Sequence, residues 1–355
     1  MAMDLVERLL TLVRLDSVTG HERALCDFLV AELSHSGTHG LERVGNAFAL
    51  FPRERRHERL VALVGHLDTV PPSAYNPPRV AEGRVWGLGA SDMKSGLALM
   101  WQLLAEPVPD AAYDLAFLFY DGEEGAYAQS GLGPLLEQLD WLAEIDLAFC
   151  LEPSDNVLQL GCLGSLQAEV TFAGRPAHSA RPWQGDNAIH RAGTLLTRLA
   201  ALQPEPVSFG ELTYREVISA TLAHGGTARN VVPDRFTLNL NYRFAPGRSI
   251  ESAERRVCEL VDDAHASLAF VDCCPSGAIP LDNPVLAAFR RVCDTPPAPK
   301  QAWTDVARLT AAGIDAVNWG SGENAQAHQP NESTSIALLE AGEQLFRRFL
   351  ATRSD

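Results

Sequence analysis

The sequence predicts an α/β fold that carries an inserted α+β module. Three observations point there. Short apolar runs alternate with helical stretches through the first 165 residues, the texture changes at Leu166 to alternating strands, and long helical patterns return after residue 276. The expected division is 1–165 and 277–355 for a main domain in two segments, with 166–276 as the insertion.

The elements follow in order. Residues 3–14 and 21–34 have helical spacing of Leu, Val and Phe, broken by "DSVTGHE", where Thr19 or Gly20 offers a helix start. "AFALF" (47–51), "RLVALVGH" (59–66), "DLAFLFY" (114–120) and "DLAFCLE" (146–152) read as strands, with helices over 92–105 and 131–142 between them. Such an alternation suggests a sheet covered on both faces. From Leu166 onward, "LQAEVTFAG" alternates apolar and polar residues and "DNAIHRAGTLLTRLAAL" is helical. "VISATLAHGG" and "RFTLNLNYRF" are strands, "SIESAERRVCELVDDA" is helical and "SLAFVDC" is a strand. That order, β, α, β, β, α, β, describes a ferredoxin-like module. "NPVLAAFRRVC" and "SIALLEAGEQLFRRFLA" are long helices again, as completion of the main domain requires.

Composition narrows the function. Acidic residues outnumber basic ones 45 to 29, a net charge of −16, which disfavours a nucleic-acid partner because phosphate must be neutralised by Lys and Arg. No apolar run approaches the ~18 residues of a membrane span. The N-terminal "MAMDLVERLLTLVRL" carries Asp4, Glu7, Arg8 and Arg14, the mark of an amphipathic helix and not of a signal peptide. Seven scattered cysteines without a CxxC spacing, Cys273 and Cys274 adjacent among them, read as reduced thiols in a cytoplasmic protein.

The candidate chemistry lies in a set: His66, Asp68, Asp92, Glu123, Glu124, Glu152 and His328. Their settings share a form, a polar residue beside glycine or proline and often after an apolar run: "VGHLDTV", "GLGASDMKSG", "FLFYDGEEG", "AFCLEPS" and "AQAHQP". In open α/β sheets, ligands bind at the carboxyl ends of strands. Carboxylates packed together repel one another, and a divalent metal removes that objection. Carboxylate with imidazole is a ligand mixture that zinc accepts at catalytic sites. Glu123 and Glu124 are adjacent and would point oppositely in an extended segment, so a turn at "DGEEG" is expected.

"GHLDTVP", "GASDMKSGLA", "DGEEG" and "LEPS", in this order, resemble the di-zinc peptidase and deacylase family of aminoacylases, glutamate-releasing carboxypeptidase, acetylornithine deacetylase and succinyl-diaminopimelate desuccinylase. "GRPAHSARPWQGDNAIH", "RNVVPD", "NYRFAPGRS" and "WTDVARLTAAGIDAVNWGSG" are most similar to its desuccinylases of the actinobacterial type. The resemblance implies a di-zinc peptidase-like catalytic domain with an inserted ferredoxin-like lid and dimerisation domain. It implies two zinc ions per subunit, with cobalt as a substitute. Asp92 would bridge them, His66 and Glu152 would complete one ion's ligands, and Glu124 and His328 the other's. Glu123 would be the general base, and Asp68 would hold His66 in its metal-binding tautomer. A cis peptide at Asp92-Met93 is implied as well.

In the inserted module, His178 resembles the histidine that crosses from a partner subunit to polarise the scissile carbonyl. Asn230 and Arg243 resemble the family's substrate-binding pair, and Thr304 and Asn324 its carboxylate-contacting loop residues. His190 reads as structural, and Arg175 and Arg181 as solvated charges. Cys162 and Leu163 stand where many desuccinylases have arginines, and Leu88 stands where arginine is frequent. The implied activity is hydrolysis of N-succinyl-L,L-diaminopimelate by a cytoplasmic homodimer. Rival readings are another N-acyl amino acid deacylase acting on acetylornithine or acetyl-lysine, a dipeptidase or carboxypeptidase, and a catalytically silent binding protein on the same fold.

Overall fold

Every residue of the strand Leu60–His66 is buried, as a strand inside a parallel sheet covered on both faces must be. The computed structural model that shows this describes residues 3–353; residues 1–2 and 354–355, which belong to the expected catalytic segments, lie outside it. Leu60–His66 pairs in parallel with Asp114–Tyr120 on one side and Leu147–Cys150 on the other. Ala316–Asn318 continues the parallel run beside Leu147–Cys150. Antiparallel Ala47–Pro52 and His39–Val44 extend one edge, and Gln159–Leu160 and Ala298–Pro299 the other, making a mixed eight-stranded sheet.

Helices cover this sheet, and their ends follow local chemistry. Asp4 caps Leu5–Val13 in a capping box with Glu7, Asn283 precedes Pro284 at the start of Pro284–Val292, and the Ser335 hydroxyl caps Ile336–Leu350. Phe149 of the sheet meets Phe289, Phe346 and Phe349 of the last two of these helices at ring separations of 4.7–5.6 Å. Burying each such ring stabilises the unit by roughly 1.5–3 kcal/mol. The second helix begins at Arg23, later than Thr19 or Gly20, because the Thr19 hydroxyl is engaged by Asp68 and the Glu22 side chain turns back to accept the Gly20 N–H.

The chain separates into two compact units, one of residues 1–161, 278–300 and 304–355, the other of 162–277 and 301–303. Residues 301–303 join the second through Gln301, which exchanges hydrogen bonds with the Arg215 backbone, and Trp303, which donates to the Pro275 carbonyl. Its antiparallel sheet runs in the order 205–209, 212–225, 235–244, 164–173, 266–274. Arg235–Phe244 alternates buried and half-exposed residues; Phe236, Leu238, Leu240, Tyr242 and Phe244 pack with Leu166, Ala168, Val170 and Phe172 under the helices 193–201 and 250–261. The last four strands have the ferredoxin-like order. Glu205–Phe209 is an additional edge strand that the six-element reading lacks; its Pro206 is tolerated because only an edge can spare the missing N–H.

Among the described residues no helix is long and apolar enough to cross a membrane, and no disulfide joins the seven cysteines.

A carboxylate and histidine cluster at the sheet's carboxyl ends

Three parallel strands deliver the cluster. His66 ends one strand, the turn carrying Glu123 and Glu124 follows Tyr120, and Glu152 follows Cys150 by two residues. Asp92 precedes the helix Lys94–Ala105 across a cis Asp92-Met93 peptide, as the family resemblance implies. His328 sits in a loop with φ +61°, a left-handed conformation uncommon for histidine.

Asp92 stands between two histidines. Its Oδ1 is 3.3 Å from His66 Nε2 and its Oδ2 is 3.5 Å from His328 Nε2. His328 Nε2 is also 2.8 Å from Glu124 Oε1. Ligand atoms of His66, Asp92 and Glu152 lie within 4.8 Å of one another, and so do those of Asp92, Glu124 and His328. A third group within the same distance joins His66, Glu123 and Glu124. Asp92 is thus shared between two sets, each with one imidazole and one further carboxylate.

These groups fit divalent ions. The donors are hard carboxylate oxygens and imidazole nitrogens, suited to zinc and its neighbours. Glu152 Oε1 is buried without a hydrogen-bond partner, an arrangement that costs free energy unless a cation meets it. Burial, then the nearby Asp92 charge, pushes the Glu152 carboxyl up to about 7. Burial and the proximity of Glu152 raise Glu123 well above the carboxylate range. Burial opposes charge on His66, yet hydrogen bonds to Asp68 and Asp92 outweigh it and raise this imidazole well above its ordinary value. The Glu124 hydrogen bond likewise lifts His328 to about 9. Carboxylates that resist ionising beside imidazoles that resist deprotonating show how much uncompensated negative charge is gathered here.

Asp68 does more than face His66. His66 Nδ1 is 3.4 Å from the Asp68 carboxylate and nearer, at 3.0 Å, to the Asp68 carbonyl oxygen. The carboxylate meanwhile accepts the backbone N–H groups of Glu123 and Glu124 and the Thr19 hydroxyl, all at 3.0 Å. The turn expected at "DGEEG" is held open by these bonds.

Of the other candidates, Thr304 is buried, and Asn324 is exposed with its amide 2.7 Å from Asp155. In the second unit, His178 is exposed and pairs with Val231, placing it beside Asn230, whose carbonyl accepts the Ser179 N–H. Arg243 is half-buried and bonded to Asn241 near the far end of Arg235–Phe244, eight residues or about 26 Å of strand from Arg235. One copy of this unit therefore does not bring Arg243 to His178 and Asn230. Cys162 and Leu163 are fully buried.

Sequence reasoning missed three buried neighbours of the cluster. Lys300 donates to the Pro153 carbonyl and places an ammonium near Asp92 and Glu152. Asp305, bonded to Arg308, lies near Glu123. Glu332 bonds to the backbone around Asp92. Asp305 lies beside Thr304 in "WTDVARLTAAGIDAVNWGSG" and Glu332 four residues beyond His328, whereas Lys300 carries no comparable signal. A cleft of about 610 Å³ lined by His39, Arg53, His57, Tyr113 and Asp114 lies at the opposite, amino end of the Asp114–Tyr120 strand and contains none of the candidates.

Residues 62–352 match the sequence model of peptidase family M20/M25/M40. Two similar proteins carry desuccinylase names, the first as "Putative succinyl-diaminopimelate desuccinylase" and the second as "Succinyl-diaminopimelate desuccinylase". One, from Mycobacterium tuberculosis, is 38% identical over 98% of both chains; the other, from Corynebacterium glutamicum, is 35% identical over 96% of this chain and 94% of its own. Among solved structures, a tripeptidase from Staphylococcus aureus superposes with a TM-score of 0.80 at 21% identity, covering 98% of this chain and 97% of its own. A dinuclear metal binding peptidase of the M20 family from Bacillus subtilis does so at 0.72 and 16%, covering 98% and 96%. At those identities the structural matches speak for the fold.

Proposed function

Because the chain belongs to peptidase family M20/M25/M40, we propose that it is a di-metal amide hydrolase that removes succinate from N-succinyl-L,L-diaminopimelate and releases diaminopimelate. The observation that carries the reading is Asp92, which turns one oxygen toward His66 and the other toward His328. The names of the two relatives support the substrate.

In this reading Asp92, His66 and Glu152 would hold one zinc ion, and Asp92, Glu124 and His328 a second, with cobalt as a substitute. Bound there, such a pair would supply a water acidic enough to be a nucleophile at neutral pH and would polarise the amide carbonyl. Glu123 takes the water's proton and returns it to the departing amine. Asp68 sets the aim of that carboxylate through the Glu123 N–H and keeps Glu124 turned toward His328. Lys300 offsets part of the negative charge that remains around Asp92 and Glu152.

The second unit serves, in the same proposal, as lid and dimerisation domain. His178 donates to the scissile carbonyl oxygen, while Arg243 grips a substrate carboxylate by its bidentate fork. Their separation on one copy supports a homodimer in which His178 and Asn230 act on the partner's substrate, with Thr304 and Asn324 as further contacts. The absence of disulfides among the described residues suits a cytoplasmic enzyme. The buried Cys162 and Leu163, in place of arginines, favour keeping a second reading in which the acyl group is smaller, as in an acetyl amino acid deacylase.

The deciding experiment compares kcat/KM for N-succinyl-L,L-diaminopimelate, N-acetylornithine, N-acetyl-lysine and dipeptides on zinc-loaded protein. The proposal expects the succinyl substrate to lead by at least tenfold. A lead by an acetyl substrate would replace it with the second reading.

A further inference from the structure

We propose that Glu332 is a positioning residue that aims Asp92, an inference that rests on the di-metal reading above. Glu332 is 2% exposed. Its Oε1 accepts the N–H groups of Ser91 at 2.8 Å and Asp92 at 2.9 Å, and its Oε2 accepts that of Gly89 at 2.7 Å. Its own carbonyl accepts the Gly87 N–H at 3.1 Å and the Asn76 amide at 2.8 Å. One residue therefore grips the segment 87–92 at four points.

The segment needs such a grip. It is neither regular helix nor strand, so its N–H groups have no ladder to enter, and buried donors demand partners. A carboxylate is suited to three converging N–H donors because it brings four lone-pair directions, and these bonds favour its ionised form against the burial that pushes the Glu332 carboxyl up to about 7. The payload of the segment is Asp92, whose two oxygens must face opposite ways to meet His66 and His328. A rotation of the 89–92 backbone would take one of them out of reach.

Glu332 also couples the two sides. It lies four residues beyond His328, and the following strand Ser333–Ser335 pairs with Arg84–Trp86, just ahead of the gripped segment. The His328 loop and the Asp92 loop are thus tied to each other through this glutamate before any ion is shared between them. Glu332 contributes no atom to the ligand groups, so its effect on the site passes through Asp92.

The test is Glu332→Gln, which keeps the side chain's shape but turns an amide donor toward the N–H groups. Zinc binding to the metal-free wild type and variant is measured by calorimetry, and the visible absorption of the cobalt-loaded proteins reports ligand geometry. Affinity for at least one ion should fall about 10–100-fold, the usual scale for partners behind a metal ligand, and the cobalt spectrum should change. Leu9→Ala, a core variant in the helix Leu5–Val13, should destabilise the protein while leaving both readouts unchanged. Wild-type affinities and spectrum in Glu332→Gln, or an equal loss in Leu9→Ala, overturn the inference. Should Glu332→Gln fail to fold, amide exchange in the metal-free wild type decides instead. Protection at Gly89, Ser91 and Asp92 supports the grip, and exchange at the rate of open loops overturns it. Wild-type protein that takes up no ion refutes the di-metal reading itself, an outcome distinct from a wild type that binds two ions beside an unaffected variant.

Discussion

Asp68 accepts the backbone N–H of Glu124 at 3.0 Å, and that of Glu123 at the same distance. A buried carboxylate placed between two consecutive amides forces the turn that lets adjacent glutamates serve one site. Asp68→Asn replaces one of its oxygens with a donor that confronts an N–H. Turnover should fall about 10–100-fold while most of the zinc stays bound, as steady-state kinetics with metal analysis would show. Unchanged turnover would leave the turn to hold itself.

Glu123→Gln keeps the volume of the proposed base and removes its proton affinity. The variant should bind zinc as the wild type does and lose about 10²–10⁴ in kcat. Activity within tenfold of wild type would take Glu123 out of its role.

The ion pair between His328 and Glu124 gives the metal-free protein a particular pH response. The hydrogen bond to Glu124 raises the imidazole to about 9, against ~6.5 in an unfolded chain. Because the folded value is the higher one, the stabilisation is complete below pH ~6.5, fades as pH rises, and is gone above about 9. Melting of metal-free wild type against His328→Gln should therefore show its widest gap at pH 6 and a closed gap at pH 10. A gap that widens with pH would refute the pairing. Zinc requires the neutral imidazole, so its uptake at pH 7 should release a proton from this residue.

Gly320 offers a backbone test. A Cβ there would lie 2.5 Å from the carbonyl oxygens of both Glu152 and Leu151, nearer than atoms pack. Gly320→Ala should cost about 1–3 kcal/mol in urea unfolding and, by displacing Glu152, weaken zinc binding. A variant with full stability and full zinc affinity would mean that this close approach carries no constraint.

The candidate ligands were legible because motif and strand end coincide: His66, Glu124 and Glu152 each follow an apolar run, with glycine or proline nearby to turn the chain. What was not legible is what holds them. Glu332 and Lys300 act on backbone carbonyls and N–H groups, which leave no periodic trace in the side chains. Thr19 looked like a helix cap because a threonine hydroxyl can serve either a helix end or a distant carboxylate, and here Asp68 claims it. Glu205–Phe209 was hidden by Pro204 and Pro206, residues that argue against a strand anywhere except at an edge.

Ala316–Asn318 lies in the middle of the large sheet, although it is encoded after the whole second unit. Growth on the ribosome therefore imposes a sequence of events. The ferredoxin-like module, nearly continuous in the chain, has all its strands before the larger unit receives this inner one, and His328 emerges some 200 residues behind Glu124. At ~5–20 residues per second the half-built sheet waits several seconds or more for its partner strand, with the flank of Leu147–Cys150 unpaired on that side. During that wait four of the five proposed ligands, His66, Asp92, Glu124 and Glu152, are already synthesised and the fifth, His328, is not. In the proposed ligand set, His328 is the piece that closes the site.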